Sequence, residues 1–163
     1  MKTRDSRVLD MISSYLSTGR SSVLYKKLVD EKKMALQAGA INASQEDYGT
    51  YILFGLPQGD TELKNIIAEV DVEIVKMQTE LISEKDFQKL QNQFENNFVN
   101  SNSSVEGIAN SLARYNVLYG DTNLINTEID IFRSITREEI REVAKKYLNP
   151  NQRLLLEYLP EAK

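Results

Sequence analysis

The strongest constraint on this chain is one hairpin signal followed by a long run of helical spacing. Residues 34–43, MALQAGAINA, and 50–56, TYILFGL, read as two strands. Asn42 to Gly49 is polar and ends on glycine, which predicts an antiparallel hairpin with a loop of several residues. Tyr51, Ile52, Leu53 and Phe54 are apolar on both faces, so this strand is expected to be covered on both sides, or by helices on one side and a partner on the other. Pro57 and Gly59 break it. From Asp60 onward the apolar residues recur every three or four positions.

A helix opening at Asp60 or Thr61 carries Leu63, Ile66, Ile67, Val70, Ile74, Met77 and Leu81 on one stripe. Val72 and Val75 add a second apolar face, which predicts a sandwiched helix. Ser83 with Asp86, Ser103 with Glu106, and Thr136 with Glu139 have the spacing of capping boxes and open three further helices. Gly120 ends one helix, a shorter one carries Leu124, Ile125, Ile129 and Phe132, and Asn149-Pro150-Asn151 stops the last. Arg153 to Leu159 reads as a third strand closed by Pro160.

Ahead of the hairpin, Asp5 to Ser17 is a helix with Val8, Leu9, Ile12, Tyr15 and Leu16 on one side, ended by Gly19. Ser21 or Ser22 can cap a second helix, Ser21 to Lys32. Its stripe is Val23, Leu24, Leu28 and Val29, opposite Lys26, Lys27, Asp30 and Glu31. Three strands are few for about seven helices. The expected fold is α+β: an antiparallel sheet covered by several α-helices and lacking its first strands in this stretch. Residues 1–163 are then a single domain taken from a longer chain, and a bare sheet edge would favour self-association.

Composition narrows the chemistry. The net charge is -4 with both signs interspersed, and no basic patch points to nucleic acid. No run approaches the ~20 apolar residues of a membrane helix. The opening MKTRDSRVLD has no apolar region of signal-peptide type. There is no cysteine and no histidine. Thiol catalysis is excluded, and the commonest metal ligand and general base are missing. Ser21 and Ser22 have no base to activate them. Glu69, Asp71 and Glu73 lack the spacing of a metal loop. No catalytic residue and no metal ligand is assigned. Glu31, Lys32 and Lys33 read as a solvated helix end, and Phe87, Phe94 and Phe98 as core. Tyr15, Tyr25, Tyr51, Tyr115, Tyr119 and Tyr147 read as core or boundary residues.

The stretch GRSSVLYKKLVDEKKMAL carries a resemblance. Gly19, Ser21, Ser22, Leu24, Tyr25, Leu28, Glu31, Lys32 and Ala35 resemble a pattern of glycine, two serines, leucine-tyrosine, then leucine-arginine-glutamate-glutamate-lysine-glycine-leucine-alanine-tyrosine. The closing ITREEIREVAKKYLNPNQRLLLEYLP is similar to the last helix and strand of the same family. That family is the M16 zinc peptidases, relatives of pitrilysin, insulin-degrading enzyme and the mitochondrial processing peptidase.

The resemblance implies a clam of two similar halves enclosing a chamber. One half carries a His-x-x-Glu-His zinc site. A chain without histidine is then the non-catalytic C-terminal half. Its partner is the catalytic half, in the same chain or another subunit, with zinc held there and peptides as substrates. Many relatives lend an arginine and a tyrosine, seven residues apart, to the substrate. Those positions fall on Val29 and Leu36, which can donate no hydrogen bond. The arginine usual after the serines is Val23. Val29, Lys33, Leu36 and Gln37 are the candidate chamber residues, and residues 34–41 could hold a peptide as an added strand. A second expectation follows from the lost donors: a structural assembly subunit of the same fold with no peptidase role.

Overall fold

Thr3 opens the first helix, accepting from the Ser6 amide at 3.2 Å. In the computed structural model, which describes residues 2–158, this helix is α1, Arg4–Ser17. Gly19, at φ +77, turns the chain out of it. The next helical segment is a π-helix, Tyr25–Glu31. The Lys32 amide reaches back five residues to Lys27 (3.1 Å), and the Met34 amide six residues to Leu28 (2.8 Å). Leu24 and Leu28 are fully buried, while Val23 and Val29 are half-buried. Neither serine acts as the expected cap. Ser21 accepts from Lys89, and Ser22 is buried with its hydroxyl unpartnered.

Strand β1, Ala35–Ser44, pairs antiparallel with β2, Gly49–Pro57, with a bulge between Ala35 and Gln37. Four helices follow in sequence: α2, Leu63–Thr79; α3, Glu84–Ser101; α4, Val105–Tyr119; and α5, Leu124–Arg133. The last is α6, Arg137–Tyr147, and a 3-10 turn at Pro150–Gln152 follows it. The fold is α+β, as expected, with a two-stranded sheet among the described residues.

The core forms around α1. Val8, Met11, Ile12 and Leu16 meet Ala38 and Ala40 of β1, Leu24 and Leu28 of the π-helix, and Ile140, Val143 and Ala144 of α6. Ile66, Ile74 and Met77 of α2, with Phe87 and Leu90 of α3, complete it. Each such side chain taken from water contributes about 1.5–3 kcal/mol.

Several expectations are corrected. Val72 and Val75 are exposed, so α2 is covered on one side only. Helix α4 is capped by Ser104, which accepts from the Gly107 amide at 3.0 Å, and not by Ser103. Ser83 caps α3, but the shorter Asp86 side chain accepts the Ser83 hydroxyl instead of closing a reciprocal box. Thr136 and Glu139 form the full box at 3.2 and 2.9 Å. Residues 153–158 form no strand, because no neighbouring strand offers them a ladder. Leu154, Leu155, Leu156 and Tyr158 lie exposed there, and Arg153 pairs with Asp71. Leu159 and Pro160 lie outside the described residues. Finally, β2 is not covered on both faces: Tyr51 is half-buried on the core side, while Leu53 on that side and Ile52 and Phe54 on the other are exposed.

Candidate functional site

The hairpin has two unlike faces. On the inner face the small Ala38 and Ala40 let α1 approach closely. Ser17 donates to the Ala40 carbonyl at 2.9 Å, and Asn42 Nδ2 donates to the Ser6 carbonyl and to Asp10 Oδ1 at 3.0 and 2.8 Å. At the far end, Ile66 of α2 comes so near Gly55 that an added Cβ would sit 3.0 Å from its methyl. The Tyr51 hydroxyl is buried on this side, and that burial pushes its pKa up.

The outer face is apolar and bare. Ile41 is opposite Ile52, Gly39 opposite Phe54, and Gln37 opposite Leu56. Ile41, Ile52 and Leu56 are 48%, 42% and 53% exposed. The tip of the Phe54 ring lies against Gly39, where an added Cβ would come within 2.7 Å of it. Neither strand has a second strand beyond it among the described residues.

Three of the four candidate chamber residues gather at the corner between the π-helix and β1. Lys33 takes a left-handed backbone, φ 50, the one non-glycine residue to do so among those described. Leu36, 59% exposed, is the unpaired residue of the bulge, and Gln37 follows it, also exposed. Val29 sits apart on the π-helix, half-buried. The described hydrogen bonds and ion pairs join no two of these four side chains.

The residues considered as metal ligands do not fit a zinc site. Glu69 pairs with Lys32, Asp71 with Arg153, and Glu73 with Lys76 at 3.4 Å. No cluster of three acidic, histidine or cysteine side chains occurs among the described residues. Of the tyrosines, Tyr115 is buried and Tyr15 is pushed up to about 12 by burial. Tyr147 lies at the surface, donating to Asp5 at 2.8 Å. The sequence does not single out the outer face of β2, since Leu53 between Ile52 and Phe54 is apolar too and leaves no alternation to read.

Comparison with known proteins places this arrangement. The family model for the Peptidase M16 inactive domain matches residues 1–94, more than half of the chain. The chain belongs to this family. As an M16 inactive domain it has the α+β fold and the non-catalytic character the family implies. The zinc protease PqqE of Helicobacter pylori is 25% identical over 151 residues, 93% of this chain and 34% of that protein. The chain therefore spans about a third of the length of the curated relative it matches.

Two solved structures share the fold. The inactive peptidase domain of a candidate zinc protease from Bordetella parapertussis superposes with a TM-score of 0.85 at 18% identity, over 99% of this chain and 86% of that one. A protease from Helicobacter pylori superposes with a TM-score of 0.82 at 24% identity, over 93% of this chain and 36% of that one. No described helix of the M16 domain is long and apolar enough to cross a membrane.

Proposed function

We propose that this M16 inactive domain forms one wall of a peptide chamber, with the outer face of its hairpin turned towards a zinc-bearing catalytic half. The observation that carries this reading is the exposed apolar face of Ile41, Ile52, Phe54 and Leu56 on a strand pair whose other face seats Ala38 and Ala40 in the core. Such a face is covered when a second body closes on it. The domain and its catalytic half then belong to one longer polypeptide or to two subunits.

Zinc and the hydrolytic step belong to the catalytic half, where the metal polarises the carbonyl and lowers the pKa of its water. This domain adds positioning and size exclusion. Lys33 and Gln37 are placed to hydrogen-bond a peptide at the corner of β1, while Val29 and Leu36 offer only apolar contact. Assistance to a developing oxyanion is absent from both positions.

The test is cleavage of a fluorogenic peptide by the His-x-x-Glu-His half, with and without this domain and with and without a chelator. Chelator-sensitive cleavage that needs both pieces supports the reading. A catalytic half that is fully active alone overturns it. A folded, bound pair that cleaves nothing favours the structural-subunit reading, which the lost donors at Val29 and Leu36 support. Alanine at Lys33 and Gln37 should raise KM with little change in kcat. Unchanged KM would remove these two from the peptide path.

A further inference from the structure

Helices α4 and α5 are attached differently from the rest of the chain. No residue of α5 is fully buried, and in α4 only Tyr115 is. None of their residues belongs to the set of buried side chains that forms the core, and Phe132 alone packs partly against it. Phe132 stacks on Phe94 at 4.6 Å. The other ties to the body are polar. Gln91 donates to the Arg133 carbonyl at 3.1 Å, and Arg133 pairs with Glu95.

Arg4 of α1 donates to the hydroxyl and the carbonyl of Ser134, at the end of α5, both at 2.9 Å, and a further tie runs through Arg7 of α1. Its side chain is 9% exposed, although it carries a full charge. One guanidinium nitrogen meets Glu128 Oε1 of α5 at 3.4 Å, and the guanidinium carbon lies 5.8 Å from the centre of the Tyr119 ring of α4. Glu128 also accepts from the Tyr115 hydroxyl, which joins α5 to α4. Arg7 therefore clasps both helices at once. Asp10 stands next to it on α1, held by Asn42 of the hairpin. Segments with few buried apolar contacts open before the core does, and a buried charge that loses its partner is strongly disfavoured.

We propose that α4 and α5 form a lobe that opens as a unit about Asn102–Ser104 and Ser134, and that the Arg7–Glu128 pair is the latch holding it on α1. Because Arg7 and Asp10 lie on the helix that seats the hairpin, the latch links the lobe to that seat. This device is separate from the chamber reading and stands or falls without it.

The test is amide hydrogen exchange on the whole chain, comparing residues 105–133 with residues 8–16 and 140–147. Glu128→Gln keeps the size of the side chain and an acceptor for Tyr115 while removing the charge. Exchange in the lobe should rise at least tenfold, with α1 and α6 unchanged. Arg7→Met, which keeps much of the packing volume, should do the same. The double variant should exchange no faster than the faster single one. A lobe that already exchanges at the rate of the core in the unmodified chain, or that rises only in step with the core in both variants, overturns the proposal. So does a lobe that neither variant changes.

Discussion

The inner and outer faces of the hairpin are built from the same two strands, yet they answer to different physics. The inner face brings Ala38, Ala40 and the half-buried Tyr51 onto the core and Gly55 close to Ile66, with Leu53 37% exposed among them, and the described side-chain hydrogen bonds between α1 and the hairpin lie on this side. The outer face carries Ile41, Ile52, Phe54 and Leu56, all exposed, and no second strand lies beyond either edge among the described residues. The contrast separates stability from assembly: the first face holds the domain together, and the second is available for a partner.

The sharpest way to break the comparison is to damage each side in turn. Leu28→Ala, at a fully buried site beneath the hairpin, should cost about 2–5 kcal/mol of unfolding free energy in a urea titration. Ile52→Ser on the outer face should leave the isolated chain within about 0.5 kcal/mol while weakening binding of the catalytic half. Equal losses of stability at both sites would mean that the outer face is also core.

A second pair tests steric tolerance. Ala40→Leu forces a branched side chain between β1 and α1 and should cost about 1–3 kcal/mol. Gly39→Ala meets only the Phe54 ring, which can swing into open space, so its cost should stay below about 1 kcal/mol on the same scale. Thermal melts of the two variants measure the difference.

Lys33 gives a smaller effect of opposite sign. Its left-handed backbone is strained for a residue with a Cβ. Lys33→Gly should stabilise the domain by about 1 kcal/mol, and a loss of stability would show that the lysine side chain holds the corner in place.

The mildest lever is acid. Asp5 is held below the usual carboxylate range by Lys146 and Tyr147, and Glu139 by Arg4, which grips it at 2.5 and 2.9 Å. Both pairs tie α1, the helix under the inner face, to α6. A lowered folded-state pKa contributes stability that is complete above the unfolded value, about 4, and lost as pH falls through the folded one. Asp10, raised mainly by burial, acts in the opposite direction and gains stability on protonation. Melting temperature should therefore fall below about pH 4, and Asp5→Asn should flatten part of that fall.

Periodicity revealed most of the elements because their apolar stripes match what is buried: Val8, Ile12 and Leu16 in α1, or Ile140, Val143 and Ala144 in α6. It went wrong where burial depends on something distant. Val72 and Val75 read as a second buried face, and Leu154 to Leu156 as a strand, because apolar side chains imply a cover that these described residues do not supply. The π-helix was invisible, since Leu24 and Leu28 suit either turn width. Of the candidate chamber residues, Val29 and Leu36 were marked by the family pattern and Lys33 and Gln37 by the free strand edge expected at residues 34–41, and their part in a chamber is a proposal. The latch at Arg7, Tyr119 and Glu128 was not legible, because Arg7 lies more than a hundred residues from the other two and no local spacing marks them.

The measurement that tests the central claim most directly uses the absence of cysteine. A single thiol placed by Ile52→Cys on the outer face, and another by Val117→Cys on the exposed side of α4 as a control, report accessibility through their labelling rates. Addition of the catalytic half should slow labelling at position 52 at least tenfold and leave position 117 unchanged. Unchanged labelling at position 52 in a complex known to form would contradict the assignment of the outer face to the chamber side.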